Sequence, residues 1–203
     1  MSSSSTISKA ERTRRFIIEK AAPIFNKKGV AGTSLSDLVE ATGLTKGAIY
    51  GNFNNKDEVA VAAFEHNLSF IIEPMKEMIR AKGNSIEKLL VIPEFYKKYY
   101  PRFARRGGCA ILNASTEADD NYPILKKQVS ATVANWKKSI EKIIQAGISK
   151  REVKSSIDPS EISTVFIALI EGGIMMSKIT EDPSHINIAM ERIEQIIKNE
   201  LKK

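Results

Sequence analysis

Three helix-start signals crowd into one stretch, TSLSDLVEATGLTKGAIYGNFNNKDE, from Thr33 to Glu58. Ser34 followed by Asp37 reads as a capping box. Leu35, Leu38 and Val39 then supply one apolar face, and Gly43 suits the left-handed cap that ends such a helix. Thr45 caps a second helix that points Ile49 and Phe53 inward. Asn55 with Glu58 caps a third, and Asp57 and Glu58 favour its positive end. Two short helices around a glycine turn, followed by a longer helix, outline a helix-turn-helix. From Ala41 to Lys56 this stretch has no acid and carries Lys46, Tyr50, Asn52 and Lys56, which suits a surface lying against phosphates.

The rest of the chain repeats the helical period, with no convincing strand alternation. A first helix is expected over about residues 8–28, with Ile17, Ala21, Ile24 and Phe25 on one face and Gly29 as its stop. Pro23 interrupts that pattern and predicts a local bend. The helix after Asn55 runs long, towards Lys82, through Pro74. Further helices are expected over about 85–100, from near Cys109, and from Pro123 to Gly147, the last burying Leu125, Val129, Val133, Trp136, Ile140 and Ile143. Asp158-Pro159-Ser160-Glu161 is a strong helix start, and Asp182-Pro183 opens the last helix. The expectation is an all-α protein of about nine helices. A three-helix helix-turn-helix unit would occupy 1–58 and a second helical unit 59–203, joined by a shared helix.

Composition narrows the function classes. The 203 residues carry a net charge of +7 and a pI near 9.4, so a polyanionic partner is plausible. The single cysteine, Cys109, excludes an internal disulfide framework and a cysteine-based zinc site. His66 and His185 stand apart with no metal-ligand spacing, so neither metal nor cofactor is expected. MSSSSTIS reads as a polar tail and not a signal peptide. The apolar run from Val165 to Met176 is too short to span a bilayer and contains Glu171. A cytoplasmic protein with no membrane partner is expected.

A recognition helix must set its first residues into a major groove about 12 Å wide, while flanking groups hold phosphates. Gly47 and Ala48 allow close approach. Thr45 and Lys46 sit at the tip, Tyr50 follows one turn on, and Thr33 and Lys56 stand at the starts of the flanking helices to grip backbone. Such grips position a protein without reading sequence. The plain alternative is a set of solvated lysines and a core tyrosine, within a helical enzyme or an interaction module. No Ser/His/Asp or Cys/His set and no phosphate loop supports an enzyme. The nearest acid cluster, Glu117, Asp119 and Asp120 before Pro123, reads as a solvated loop.

From the first helix to the fourth, the chain resembles the TetR family of bacterial transcriptional repressors. The resemblance rests on Ala21, Ala22, Phe25 and Gly29; on Thr33-Ser34-Leu35; on Ala41 to Leu44; on Lys46-Gly47-Ala48-Ile49-Tyr50; and on Phe53 and Lys56-Asp57-Glu58. Asn52 stands where a histidine often precedes the phenylalanine, and Asn still donates to phosphate. The resemblance implies a homodimer, a helical ligand-binding domain, and release from double-stranded operator DNA by a small-molecule inducer.

The carboxyl-terminal part is then read as ligand and dimer machinery. Gly107-Gly108-Cys109 resembles a segment that opens a short helix over the ligand cavity in one branch of the family. Cys109 is either an oxidant or electrophile sensor, activated by Arg105 and Arg106, or a small buried residue. Tyr96, Tyr99, Cys109, Asn113, Glu117 and Trp136 are expected to line the cavity. Ile162, Phe166, Leu169, Met190, Ile193 and Ile197 are expected to pair with a second subunit, or else to be core. Glu171 faces either the pocket or the dimer seam.

Overall fold

The computed structural model describes residues 8–203, apart from the side chains of residues 119–121. Residues 1–7, and with them most of the expected polar tail, lie outside the described residues. The described residues form α1 (Lys9–Lys28), α2 (Leu35–Thr42), α3 (Lys46–Tyr50), α4 (Lys56–Arg80), α5 (Ser85–Arg105), α6 (Ala110–Asn121), α7 (Pro123–Ser149), α8 (Pro159–Ile179) and α9 (Ser184–Gln195), the last continuing as a π-helical stretch over Ile196–Leu201. Among them the only β-type pairing is an isolated bridge, Val153 with Lys202. The Lys154 amide donates to Leu201 O at 2.9 Å beside it and ties the chain end to the α7–α8 loop.

The caps form as the residue types require. Ser8 Oγ accepts the Glu11 amide at 3.1 Å and starts α1. Ser34 and Asp37 make the reciprocal capping box of α2. Asn55 Oδ1 accepts the Glu58 amide at 2.8 Å to start α4, and Asp158 Oδ1 accepts the Ser160 amide at 2.8 Å to start α8.

Prolines mark the departures from the expected boundaries. α1 and α4 run through Pro23 and Pro74 as single helices. α5 does not stop at Tyr100 but continues through Pro101 to Arg105. A helical proline forfeits one backbone bond, and here the added turn buries Phe103, whose ring lies 5.7 Å from Phe95 and 6.1 Å from Tyr96. Glu117, Asp119 and Asp120, expected in a solvated loop, lie on the last turns of α6. α8 is longer than its apolar run suggested: by length and composition it is apolar enough to cross a membrane. Its buried side chains Phe166, Ile170 and Ile174 join a core built with α5, α7 and α9.

Two apolar clusters organise the packing. One gathers Ile17, Ala21 and Phe25 of α1, Leu38 of α2, Ile49 and Phe53 around α3, and Val59, Ala63 and Phe64 of α4; it also takes Ala110, Ala118, Leu125 and Val129 from α6 and α7. The other centres on Leu89, Phe95, Ile144, Phe166, Ile170, Met190 and Ile193, with Ile71, Met75 and Met78 of α4 against it. α4 thus contributes to both clusters. Burying each large side chain is worth about 1.5–3 kcal/mol, so a displacement of α4 is felt at both ends.

Candidate nucleic-acid interface and ligand cavity

Gly43 closes α2 in the left-handed conformation, at φ 66° and ψ 12°, and its amide donates to Val39 O at 2.8 Å. This turn lets the chain reverse within a few residues. Thr45 Oγ1 then accepts the Ala48 amide at 3.2 Å and starts α3. Ile49 is fully buried and Phe53 is 2% exposed, which fixes the rotation of α3. The opposite side is left to solvent: Thr45, Lys46 and Gly47 are exposed, and Ala48, Tyr50 and Asn52 are half-buried. A Cβ built on Gly47 would meet only Thr45 Oγ1, at 4.0 Å. The glycine is therefore not needed for internal packing.

The two flanking grips are placed differently from expectation. Thr33 is fully buried, and its hydroxyl donates to Gly29 O at 2.6 Å. Lys56 Nζ donates to Val30 O at 2.8 Å and Thr33 O at 3.1 Å. Both brace the α1–α2 loop from inside, because that loop's carbonyls need donors once the first core closes over it. Asn52 turns its amide back onto Ala48 O at 2.9 Å.

Arg14, which sequence reasoning missed, holds this unit together. Its guanidinium lies 4.0 Å from the centre of the Phe53 ring, pairs with Glu58 at 2.9 Å and donates to Asn52 O. Glu58 also accepts the Asn54 amide at 2.9 Å; that bond, then Arg14, holds its carboxyl below the usual range. The signal was present: Arg14 falls on the same α1 face as Ile17 and Ala21, at helical spacing. On the far side, the bond from Lys28 at 2.7 Å, then those from Ser34, hold the Asp37 carboxyl far below its usual value.

A cavity of about 350 Å³ opens between α4, α5, α6 and α7. Leu68, Ile71, Ile72, Met75, Ile79 and Ile111 make its apolar wall, joined by Tyr96, Cys109 and Trp136. Tyr99 is not on this wall; its ring packs on Phe95 at 4.8 Å. Cys109 is 2% exposed. Burial, and next to it Glu171, pushes its thiol well above the usual value, against the pull of the α6 amides. The expected activation by arginine is not present: Arg106 stacks 3.9 Å over Phe70 and Arg105 is exposed. Cys109 Sγ donates to Glu171 Oε1 at 3.1 Å. Glu171 therefore points into the fold behind the cavity wall, and burial raises its carboxyl to about 7.

Asn113 and Glu117 do not line this cavity. They clasp α6 to α1. Asn113 Nδ2 donates to Asn26 O at 3.0 Å and to Gly107 O at 2.8 Å. Asn26 Nδ2 donates to Arg106 O at 2.7 Å and Gly108 O at 3.2 Å, and Lys178 Nζ reaches Asn113 Oδ1 at 3.1 Å. The Glu117 carboxylate accepts the amides of Val30, at 2.6 Å, and Ala31. Gly107 and Gly108 sit at φ 100° and 90°, and a Cβ on Gly107 would stand 3.0 Å from Asn26 O. The sequence marked this segment but not its partner, because Asn26 lies far off in the chain.

Four of the six residues expected at a dimer seam belong to the chain's own core. Phe166, Met190, Ile193 and Ile197 are fully buried within one chain, so they cannot meet a second copy. Ile162 and Leu169 are half-buried against the same core. The apolar side chains that α8 and α9 leave exposed are Met175, Met176, Ile179 and Ile188, at 51%, 45%, 82% and 62%.

Comparison with known proteins agrees along the chain. Residues 17–63 match the family described as bacterial regulatory proteins, tetR family. Residues 85–193 match the one described as tetracyclin repressor-like, C-terminal domain. The HTH-type transcriptional regulator TtgR of Pseudomonas putida is 28% identical over 174 residues, covering 82% of this chain and 80% of that protein. A TetR-family transcriptional regulator from Cytophaga hutchinsonii superposes with a TM-score of 0.91 at 40% identity, over 97% of this chain and 98% of that one. One from Chloroflexus aurantiacus gives 0.88 at 30%, over 96% and 98%.

Proposed function

The chain belongs to the TetR family of bacterial regulatory proteins, and on that premise we propose that it is a homodimeric repressor released from a pseudo-palindromic operator by a small molecule. It is a DNA-binding transcriptional regulator. The observation that carries the finer reading is the solvent-facing tip Thr45-Lys46-Gly47, set on a helix whose rotation Ile49 and Phe53 lock. Lys46 and Tyr50 make the leading contacts; Thr45, Gly47, Ala48 and Asn52 let the backbone approach or add phosphate bonds. Thr33 and Lys56 act by holding the loop behind them.

In this reading, residues 1–58 bind DNA, and residues 59–203 hold ligand and partner without catalysis. The exposed strip of α8 and α9 pairs with its copy around a two-fold axis, which sets two α3 helices about 34–36 Å apart. The inducer occupies the cavity whose inner end is Cys109, at the start of α6. A shift of α6 pulls on the Glu117 and Asn113 clasp and thereby on α1. Coupling of this kind is worth about 1–3 kcal/mol in typical cases.

Footprinting on the DNA upstream of its own gene tests the proposal. Wild type should protect a two-fold site with an affinity that falls steeply with salt, and Tyr50→Ala should lose that protection while remaining a folded dimer. Full protection by Tyr50→Ala at moderate salt would refute the placement of α3. Protection insensitive to salt would refute phosphate-dominated binding.

A further inference from the structure

The cavity has two unlike ends. Lys76, Asn135 and Ser139 are exposed and mark its mouth, whereas Tyr96 and Cys109 are 3% and 2% exposed and close its inner end. The wall between is aliphatic. The one cation on the lining, Lys76, is paired with Glu73 at 2.9 Å. Directly behind the inner end lies Glu171. One of its oxygens accepts the Cys109 thiol at 3.1 Å; the other, Oε2, is shut off from solvent and has no hydrogen-bond partner. A buried carboxyl oxygen left unpaired is costly. The ring faces of Trp136 and Tyr96, on the same wall, attract cations.

We infer that the cavity takes an amphipathic amine, with its apolar body along α4 and its cationic head against Trp136, Tyr96 and the Glu171 carboxyl. This rests on the cavity being the inducer site. The head comes to rest at the inner end, against Tyr96 and Cys109, with Glu171 held directly behind by its bond to the Cys109 thiol. The aliphatic wall between mouth and head sets the length of the body and selects against small polar amines.

Trp136 is the only tryptophan in the chain, so its emission reports occupancy of the cavity. Titration of the full-length protein with nonylamine, nonanol and nonanoate compares three heads on one alkyl chain. Nonylamine should bind at least about tenfold tighter than nonanol, with nonanoate weakest. Glu171→Gln should shrink the preference for amine over alcohol to about threefold or less, with nonanol affinity unchanged. Equal binding of amine and alcohol, or tightest binding of nonanoate, overturns the inference and leaves the cavity reading standing. A full preference retained by E171Q overturns the role of Glu171. No change in Trp136 emission with any probe overturns the cavity reading itself and this inference with it. If E171Q does not fold, the comparison of the three probes on wild type decides.

Discussion

Glu171 makes stability depend on pH in a direction opposite to most carboxylates. Its carboxyl is raised from 4.5 to about 7, because burial strips water from the charged form. Below about pH 4.5 both folded and unfolded chains hold the proton, and the group contributes no difference. Between about 4.5 and 7 the unfolded chain ionises while the folded chain keeps its proton, so folding binds a proton and stability falls as pH rises. Each unit is worth about 1.4 kcal/mol, so the accumulated loss reaches about 3 kcal/mol above pH 7. Glu171→Gln removes this term, since an amide does not titrate, and its Oε1 can still accept the Cys109 thiol. Its amide NH2, standing in place of Oε2, stays buried, with a cost of about 1–3 kcal/mol that does not change with pH. The prediction therefore concerns the difference between variant and wild type. Measured by urea unfolding at one protein concentration, that difference should move in favour of Glu171→Gln by about 3 kcal/mol from pH 4.5 to 8. Cys109 and Tyr96, the titratable neighbours, are both pushed upward by burial, away from this window. A difference that stays flat within about 1 kcal/mol would refute a buried, ionisable Glu171.

Three further outcomes follow from the same geometry. Gly47→Ala should stabilise the fold by up to about 1 kcal/mol, because alanine favours helix and its Cβ meets open space; operator affinity in gel shift should fall, and unchanged affinity would place DNA elsewhere. Arg14→Ala removes the stack on Phe53 and the bonds to Asn52 and Glu58, and urea unfolding should show a loss of about 1–2 kcal/mol, since the pair with Glu58 is half-exposed. Ile188→Glu should give a folded monomer in sedimentation, whereas Phe166→Ala should cost about 3–5 kcal/mol of stability and leave the dimer surface chemically intact; a dimeric Ile188→Glu would put the partner surface elsewhere.

Local chemistry explains what could be read in the chain. A capping box, a glycine turn or an Asp-Pro helix start acts within one turn of helix, and so Ser34 to Gly43, Thr45, Asn55 and Asp158 all form as their neighbours dictate. Residues facing a core share a period, which is why Ile49 and Phe53 were legible as inward and Lys46 as outward. Function that rests on reach across the chain was read less well. Asn113 and Glu117 looked like pocket residues because both are polar beside a glycine pair, yet their partners are backbone groups of α1 and its loop. Thr33 and Lys56 looked like phosphate grips because they stand at helix starts, yet loop carbonyls claim them.

The sequence by itself determined that the chain is helical, where its helices begin, and that one acid-free turn presents Thr45 to Gly47. These follow from capping, periodicity and charge, which act over a few residues. Only the tertiary structure decided which apolar side chains of α8 and α9 stay exposed. It also decided that Glu171 turns inward beside Cys109, and that α6 holds α1. Each depends on which surface packs first: a side chain that the chain's own core has already buried is unavailable to a second subunit, a ligand or DNA.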